Sequence, residues 1–284
     1  MKPSIPFLGF VLLAAQHVLG LEFTYEAKHN GKPLPKSKMK MVKSDMRTGP
    51  PVRMNKPTGP VNARKLDKRG PNERKYSNNW CGAVNRVPLN NPIQVLHTFW
   101  NHPHCTAREG ERYPQALAAW GGIDGNSAPT LGLLQAGTVC KLWEDGSITH
   151  EAWWEWIPEP PYHLDTRMMP VAPDDIFELT ISMENNHTGL VELVNLSQGY
   201  YFGIKLVNGP AMARVDADFV VEIPGYGDRP AGTPHFSPVF FQESWGKLAN
   251  GGLVGIEGAI QYQMHQRCES VDYNNETSVS WPPV

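Results

Sequence analysis

Three carboxylates and one amide stand among tryptophans in this 284-residue chain. Trp120 and Asp124 lie in A-W-G-G-I-D-G, Gln135 in L-L-Q-A-G, and Trp153, Trp154, Glu155 and Trp156 in A-W-W-E-W-I-P. Glu222 closes A-D-F-V-V-E further on. Indoles beside ionisable groups suit a wet aromatic groove better than a core, because every buried N–H must find a partner. A carboxylate can take a proton from water and later return it to a leaving group. An amide side chain accepts and donates, so it can orient that water and then hold the oxyanion that forms. Such a set can hydrolyse an acyl bond, and no metal or cofactor is expected.

These groups need strands to hold them. In residues 177–184 the apolar side chains fall on odd positions, the period of a half-buried strand. Ile260, Tyr262 and Met264 alternate with Gln261, Gln263 and His265 in the same way. Val215, Ala217, Phe219, Val221 and Ile223 point one way, with Asp216, Asp218, Val220 and Glu222 opposite. Glu151, Trp153, Glu155 and Ile157 share a face, as do Leu131, Leu133 and Gln135. Gly and Pro punctuate the chain throughout, and no amphipathic helical run of ten residues stands out. The pattern predicts an all-β protein, a two-sheet antiparallel β-sandwich, as one domain over residues 70–284. On alternation alone, Gln135 reads as an ordinary strand glutamine and Glu222 as an exposed carboxylate. A sandwich glycosidase would instead pair Glu151 with Glu155, but four strand residues span about 13 Å, beyond either glycosidase spacing.

These four runs, preceded by N-N-W-C-G-A-V at residues 78–84, resemble in order the signatures of the glutamic peptidases (the eqolisin family of acid endopeptidases). The resemblance spans roughly residues 76–270 and implies a lectin- or glucanase-like jelly roll with substrate across the concave sheet. It implies Gln135 and Glu222 as the catalytic dyad and Asp124 and Glu155 as supporting groups. Trp80, Trp120 and Trp153 would line the substrate groove. The implied activity is acid hydrolysis of proteins or peptides, insensitive to pepstatin. Departures from the family pattern bear on subsite preference and catalytic vigour: Gly121 replaces a β-branched residue, Ile157 an aromatic one, and residues 99–105 a small-residue strand with a Val-Pro turn. The alternative outside enzymes is a silent or carbohydrate-binding secreted sandwich.

Lys2, the apolar residues 5–15 and Val18-Leu19-Gly20 read as a signal peptide over residues 1–20, hence a secreted chain. Residues 21–69 hold thirteen Lys and Arg against four acids, with many Pro and Gly, and are expected to be a largely disordered propeptide. They end at the dibasic pair Lys68-Arg69. Residues 1–69 carry 14 basic and 4 acidic groups, a net +10, whereas residues 70–284 carry 12 and 24, a net −12. So acidic a domain makes a poor nucleic-acid binder and suits an acid environment. The basic leader is expected to cling to it by charge as an intramolecular inhibitor, released on acidification and weakened by salt. No later apolar stretch is long enough to span a membrane, and the mature protein is expected to be a monomer.

Four cysteines, Cys81, Cys105, Cys140 and Cys268, read as two disulfides in an oxidising compartment. Of the three connectivities, Cys81–Cys105 with Cys140–Cys268 is the expectation. Asn186, Asn195 and Asn275 head N-x-S/T triplets. His102, His104 and Cys105 invite a zinc reading, but Pro103 separates the histidines and Cys105 is expected in a disulfide. No paired D-T/S-G loops and no G-x-S-x-G elbow occur.

Overall fold

The computed structural model describes residues 16–18, 20–51, 73–128, 131–273 and 275–281. Most of the expected signal peptide and the Lys68-Arg69 pair lie outside the described residues. In chain order the principal strands are β1 (Leu21–His29), β2 (Met41–Lys43), β3 (Met46–Arg47), β4 (Trp80–Arg86), β5 (Ile93–Asn101), β6 (Gln115–Ile123), β7 (Leu133–Leu142) and β8 (Ile148–Ile157). There follow β9 (Tyr162–Leu164), β10 (Ile176–Asn185), β11 (Thr188–Asn195), β12 (Tyr200–Val207), β13 (Asp216–Glu222), β14 (Gly225–Tyr226), β15 (Val239–Leu248) and β16 (Ile260–Gln263). One sheet runs β2-β9-β8-β7-β6-β13-β4-β16, the other β1-β12-β11-β10-β5-β15, with antiparallel neighbours along both paths. The only helix among the described residues is the three-residue 3-10 turn Lys36–Lys38. The all-β sandwich expected from alternation is the fold observed.

Burial explains which face does what. Ala119, Gly121 and Ile123 of β6 turn toward the other sheet, where a Cβ added to Gly121 would meet Leu179 and Thr98 within 3.0 Å. A β-branched side chain has no room there, which accounts for the departure at Gly121. Trp120 and Gly122 face outward from the sandwich, yet all of β6, β7 and β13 is buried on both faces. Something therefore covers the outer face of this sheet.

Part of the cover is the leader. Residues 21–51 are not disordered as expected. β1 pairs along its length with β12, and Leu21, Phe23 and Ala27 alternate into the core. Phe23 meets Trp154 and Tyr162 edge-on at 5.5 and 5.8 Å. β2 extends the opposite sheet by pairing with β9. Averaged composition hid a strand whose own alternation is sound; apolar burial and ladder hydrogen bonds outweigh the cost of ordering it. Charge is not the principal grip. Among the described residues the ion pair joining leader to domain is Arg47–Asp228 at 3.6 Å, with both side chains largely exposed, and such pairs contribute little.

The disulfides are Cys81–Cys268 and Cys105–Cys140, not the expected pairing. The sheet brings Cys81 of β4 beside the turn that follows its neighbour β16, whereas Cys140 of β7 lies under the segment leaving β5. Cys105 is thus a disulfide partner rather than a metal ligand. His102 is fully buried between Thr138 and His150, at 2.9 and 2.8 Å. Asn195 is also fully buried, its amide donating to Pro170 and Asp175, so it offers no exposed acceptor for a glycan. Asn186 and Asn275 are exposed.

Candidate active site

The outward face of the β8-β7-β6-β13-β4 sheet gathers the expected residues. Register aligns Glu155 with Gln135, Gln135 with Gly122, and Gly122 with Asp218. One row further along, Trp153, Gly137, Trp120 and Val220 align. Gly137 is required there: a Cβ would lie 2.2 Å from the Ala119 carbonyl and 2.5 Å from the Trp120 Cβ. Its absence lets the Trp120 indole lie over the sheet, and Nε1 donates to Glu222 Oε2 at 3.1 Å. Gly122 serves likewise, since its Cβ would press the Trp120 ring at 2.9 Å and the Gln135 Cβ at 3.1 Å.

Gln135, Glu155 and Glu222 are all buried, and a leader peptide joins them. Gln135 Nε2 donates to Glu155 Oε2 at 2.8 Å and to Thr48 Oγ1 at 2.5 Å. The Thr48 hydroxyl also bonds Glu155 Oε2. The next residue, Gly49, donates its backbone N–H to Glu222 Oε1 at 3.2 Å. Asn79 Nδ2 donates to the same oxygen at 3.2 Å and to the Pro50 carbonyl at 3.3 Å. Gln135 Oε1 accepts no hydrogen bond among the described residues.

Electrostatics follow from this burial. Desolvation pushes the Glu155 carboxyl up to about 8, against the Thr48 and Gln135 hydrogen bonds that favour its ionised form. Glu222 is raised well above the usual range, first by burial and then by the charge of Glu155, with the donors from Gly49, Asn79 and Trp120 opposing. Burial thus biases both carboxyls toward their neutral forms. Glu151 behaves oppositely. Burial raises it, but His163 and Lys141, at 2.5 and 2.6 Å, outweigh burial and leave it at about 2. An ion-paired Glu151 is not the proton-carrying partner that the glycosidase reading needs for Glu155.

Two expectations change. Asp124 accepts from the backbone N–H groups of Ala213, Arg214, Val215 and Asp216, and from neither Gln135 nor Glu222. It fastens the chain entering β13 and reaches Gln135 and Glu222 only through the backbone. The tryptophans do not form a wet groove in this form of the chain: Trp80, Trp120 and Trp153 are fully buried. Trp80 meets Trp120 edge-on at 5.0 Å, and the Nε1 groups of Trp80 and Trp153 have no partner among the described residues. Sequence reading missed Asn79, although it lies inside the quoted N-N-W run, and it missed Thr48 and Gly49 because their segment read as disordered. It also passed over Asp218, a fully buried acid raised well above its usual range by burial and by Asp216 and Asp124.

Residues 78–281 match the model of the peptidase A4 family. The chain belongs to that family. It is a peptide hydrolase of the glutamic type. Aspergillopepsin-2 of Aspergillus niger is 26% identical over 241 residues, covering 77% of this chain and 80% of that protein. Scytalidopepsin B of Scytalidium lignicola is 26% identical over 152 residues, about half of either chain (53% each). Among solved structures, scytalido-glutamic peptidase with a transition state analog inhibitor superposes with a TM-score of 0.59 at 21% identity, covering 72% of this chain and 98% of that one. Aspergilloglutamic peptidase from Aspergillus niger gives 0.54 at 22% identity, covering 59% and 99%. At such identities the superpositions show a shared fold. The peptidase A4 match starts just before Trp80, past the leader strands β1–β3. No helix among the described residues is long and apolar enough to cross a membrane.

Proposed function

We propose that this chain is a secreted acid endopeptidase made in a latent form, with Gln135 and Glu222 as its catalytic dyad and its own residues 21–69 as inhibitor. The observation that carries this reading is the peptide unit between Thr48 and Gly49, whose N–H rests on Glu222 while the Thr48 hydroxyl rests on Gln135. In turnover, ionised Glu222 takes a proton from a water held by the Gln135 amide, and the water oxygen adds to the peptide carbonyl carbon. The Gln135 N–H then stabilises the oxyanion. As the C–N bond breaks, Glu222 hands its proton to the departing amine nitrogen, the atom that Gly49 N now represents. Trp120 and Asn79 aim the carboxylate.

The docked leader suppresses this chemistry in two ways. The Thr48 hydroxyl sits on the Gln135 amide where a water would be turned over, and burial favours the protonated form of Glu222, which cannot act as base. Once the leader leaves, water re-enters, the desolvation raising Glu222 falls and the carboxyl can ionise. Glu155, which burial holds up to about 8, is neutral through the acid range in which the enzyme is expected to work.

Digestion of a denatured protein at about pH 3 tests the reading, with wild type, Gln135→Ala and Glu222→Gln, each with and without pepstatin. Wild type should cleave regardless of pepstatin, and each variant should lose at least about 100-fold in rate. Variants that keep the wild-type rate would remove the dyad.

A further inference from the structure

The leader shows how an extended peptide crosses the site. Its passage is a β-addition: Met46 pairs with Tyr226 and Arg47 with Gly225, antiparallel, so that backbone hydrogen bonds hold the peptide irrespective of its sequence. Side chains alternate along it. Arg47 is exposed, whereas Met46 and Thr48 turn into the protein. Met46 is 1% exposed and is the only buried residue between positions 30 and 51. The chain direction is the productive one. Gly49 N lies on Glu222, the group that must protonate the leaving amine, and on the other side of the bond the Thr48 side-chain hydroxyl meets Gln135. Beyond the site, the Pro50 carbonyl is gripped by Asn79 Nδ2.

We infer that residues 46–50 lie as a substrate lies, so that the pocket holding Met46 is a specificity subsite for a long apolar side chain two residues before the one whose carbonyl is attacked. The inference rests on the peptidase reading above. With Thr48 in the position of the attacked residue, its predecessor Arg47 faces solvent and tolerates any side chain, while Met46 fills a pocket walled in part by Tyr226. A flexible thioether fits an irregular apolar space well, and leucine and phenylalanine are the other expected occupants. A charged side chain there would lose its hydration.

The full chain, incubated at about pH 3 with a denatured protein, gives product ends that mass spectrometry can align on the cut bond. Met, Leu and Phe together should be enriched at least about fivefold over their abundance at the third residue before the cut, with no enrichment at the second. Cleavage without that enrichment, or with it at another position, overturns the subsite while leaving the peptidase standing. No cleavage by wild type or by a Thr48→Val chain overturns the peptidase reading and this inference with it. A synthetic peptide of residues 44–51 supplies a second readout. It should inhibit the active enzyme, its Met46→Leu form about equally, and its Met46→Asp form about 10- to 100-fold less. Equal inhibition by the aspartate form would equally overturn the pocket's role.

Discussion

Replacing Thr48 by Val keeps the shape of the side chain and removes the hydroxyl that Gln135 and Glu155 share. Burial holds the Glu155 carboxyl up to about 8, so at about pH 5 it is neutral and both lost bonds are of the neutral kind, about 1 kcal/mol each. Gln135 Nε2 keeps Glu155 as acceptor at 2.8 Å, so no donor is stranded and the cost stays near the bonds themselves. Docking of the leader should therefore weaken by about 2 kcal/mol, roughly thirty-fold at 1.4 kcal/mol per factor of ten. The assay is the lag before full-length protein, placed at about pH 5, begins to cleave a quenched fluorescent peptide. The variant's lag should shorten by about tenfold or more, while Thr48→Ser, which keeps the hydroxyl, should retain most of it. A Thr48→Val lag equal to wild type, with an unchanged circular dichroism spectrum, would refute the assignment of latency to this hydroxyl.

Phe23→Ala removes the leader's anchor against Trp154 and Tyr162 and should cost the precursor about 3–4 kcal/mol, seen as a lower Tm and a shorter lag. An unchanged lag would show that β1 does not limit release. Because Glu155 sits at about 8, above its ordinary 4.5, the folded precursor holds a proton that the unfolded chain gives up. That stabilisation is complete below about pH 4.5 and is lost progressively as pH rises to about 8, so the precursor Tm should fall between about pH 5 and 8 and level off above, and fall less steeply in Glu155→Gln. A wild-type Tm that rises over that interval would contradict the assignment. Salt should matter little. With Arg47–Asp228 exposed on both sides, raising ionic strength from about 0.1 to 1 M should change the lag by less than about threefold, and a collapse of latency would restore charge as the grip.

Period-two alternation determined the sandwich. It sorted Glu151, Trp153 and Glu155 onto one face of β8 and Glu222 onto the polar face of β13, because side-chain direction along a strand is fixed by local geometry. Grouping Gln135, Glu155 and Glu222 came from the family resemblance that the motifs carry, since alternation alone left Gln135 and Glu222 as ordinary strand residues. What alternation cannot carry is the identity of each strand's neighbour. The pairing of Cys81 with Cys268, 187 residues apart in the chain, depends on β4 lying beside β16. The role of Asp124 depends on backbone N–H groups about ninety residues away, which its carboxylate meets only once β6 and β13 are paired. The leader shows the same divide. Its charge and proline content were plain in the sequence, but Leu21, Phe23 and Met46 gain their stabilisation only from surfaces that the rest of the chain supplies. Composition reports what a segment can bury by itself, whereas order in residues 21–51 was decided by a partner surface and by the row of free hydrogen-bonding groups at the edge of each sheet.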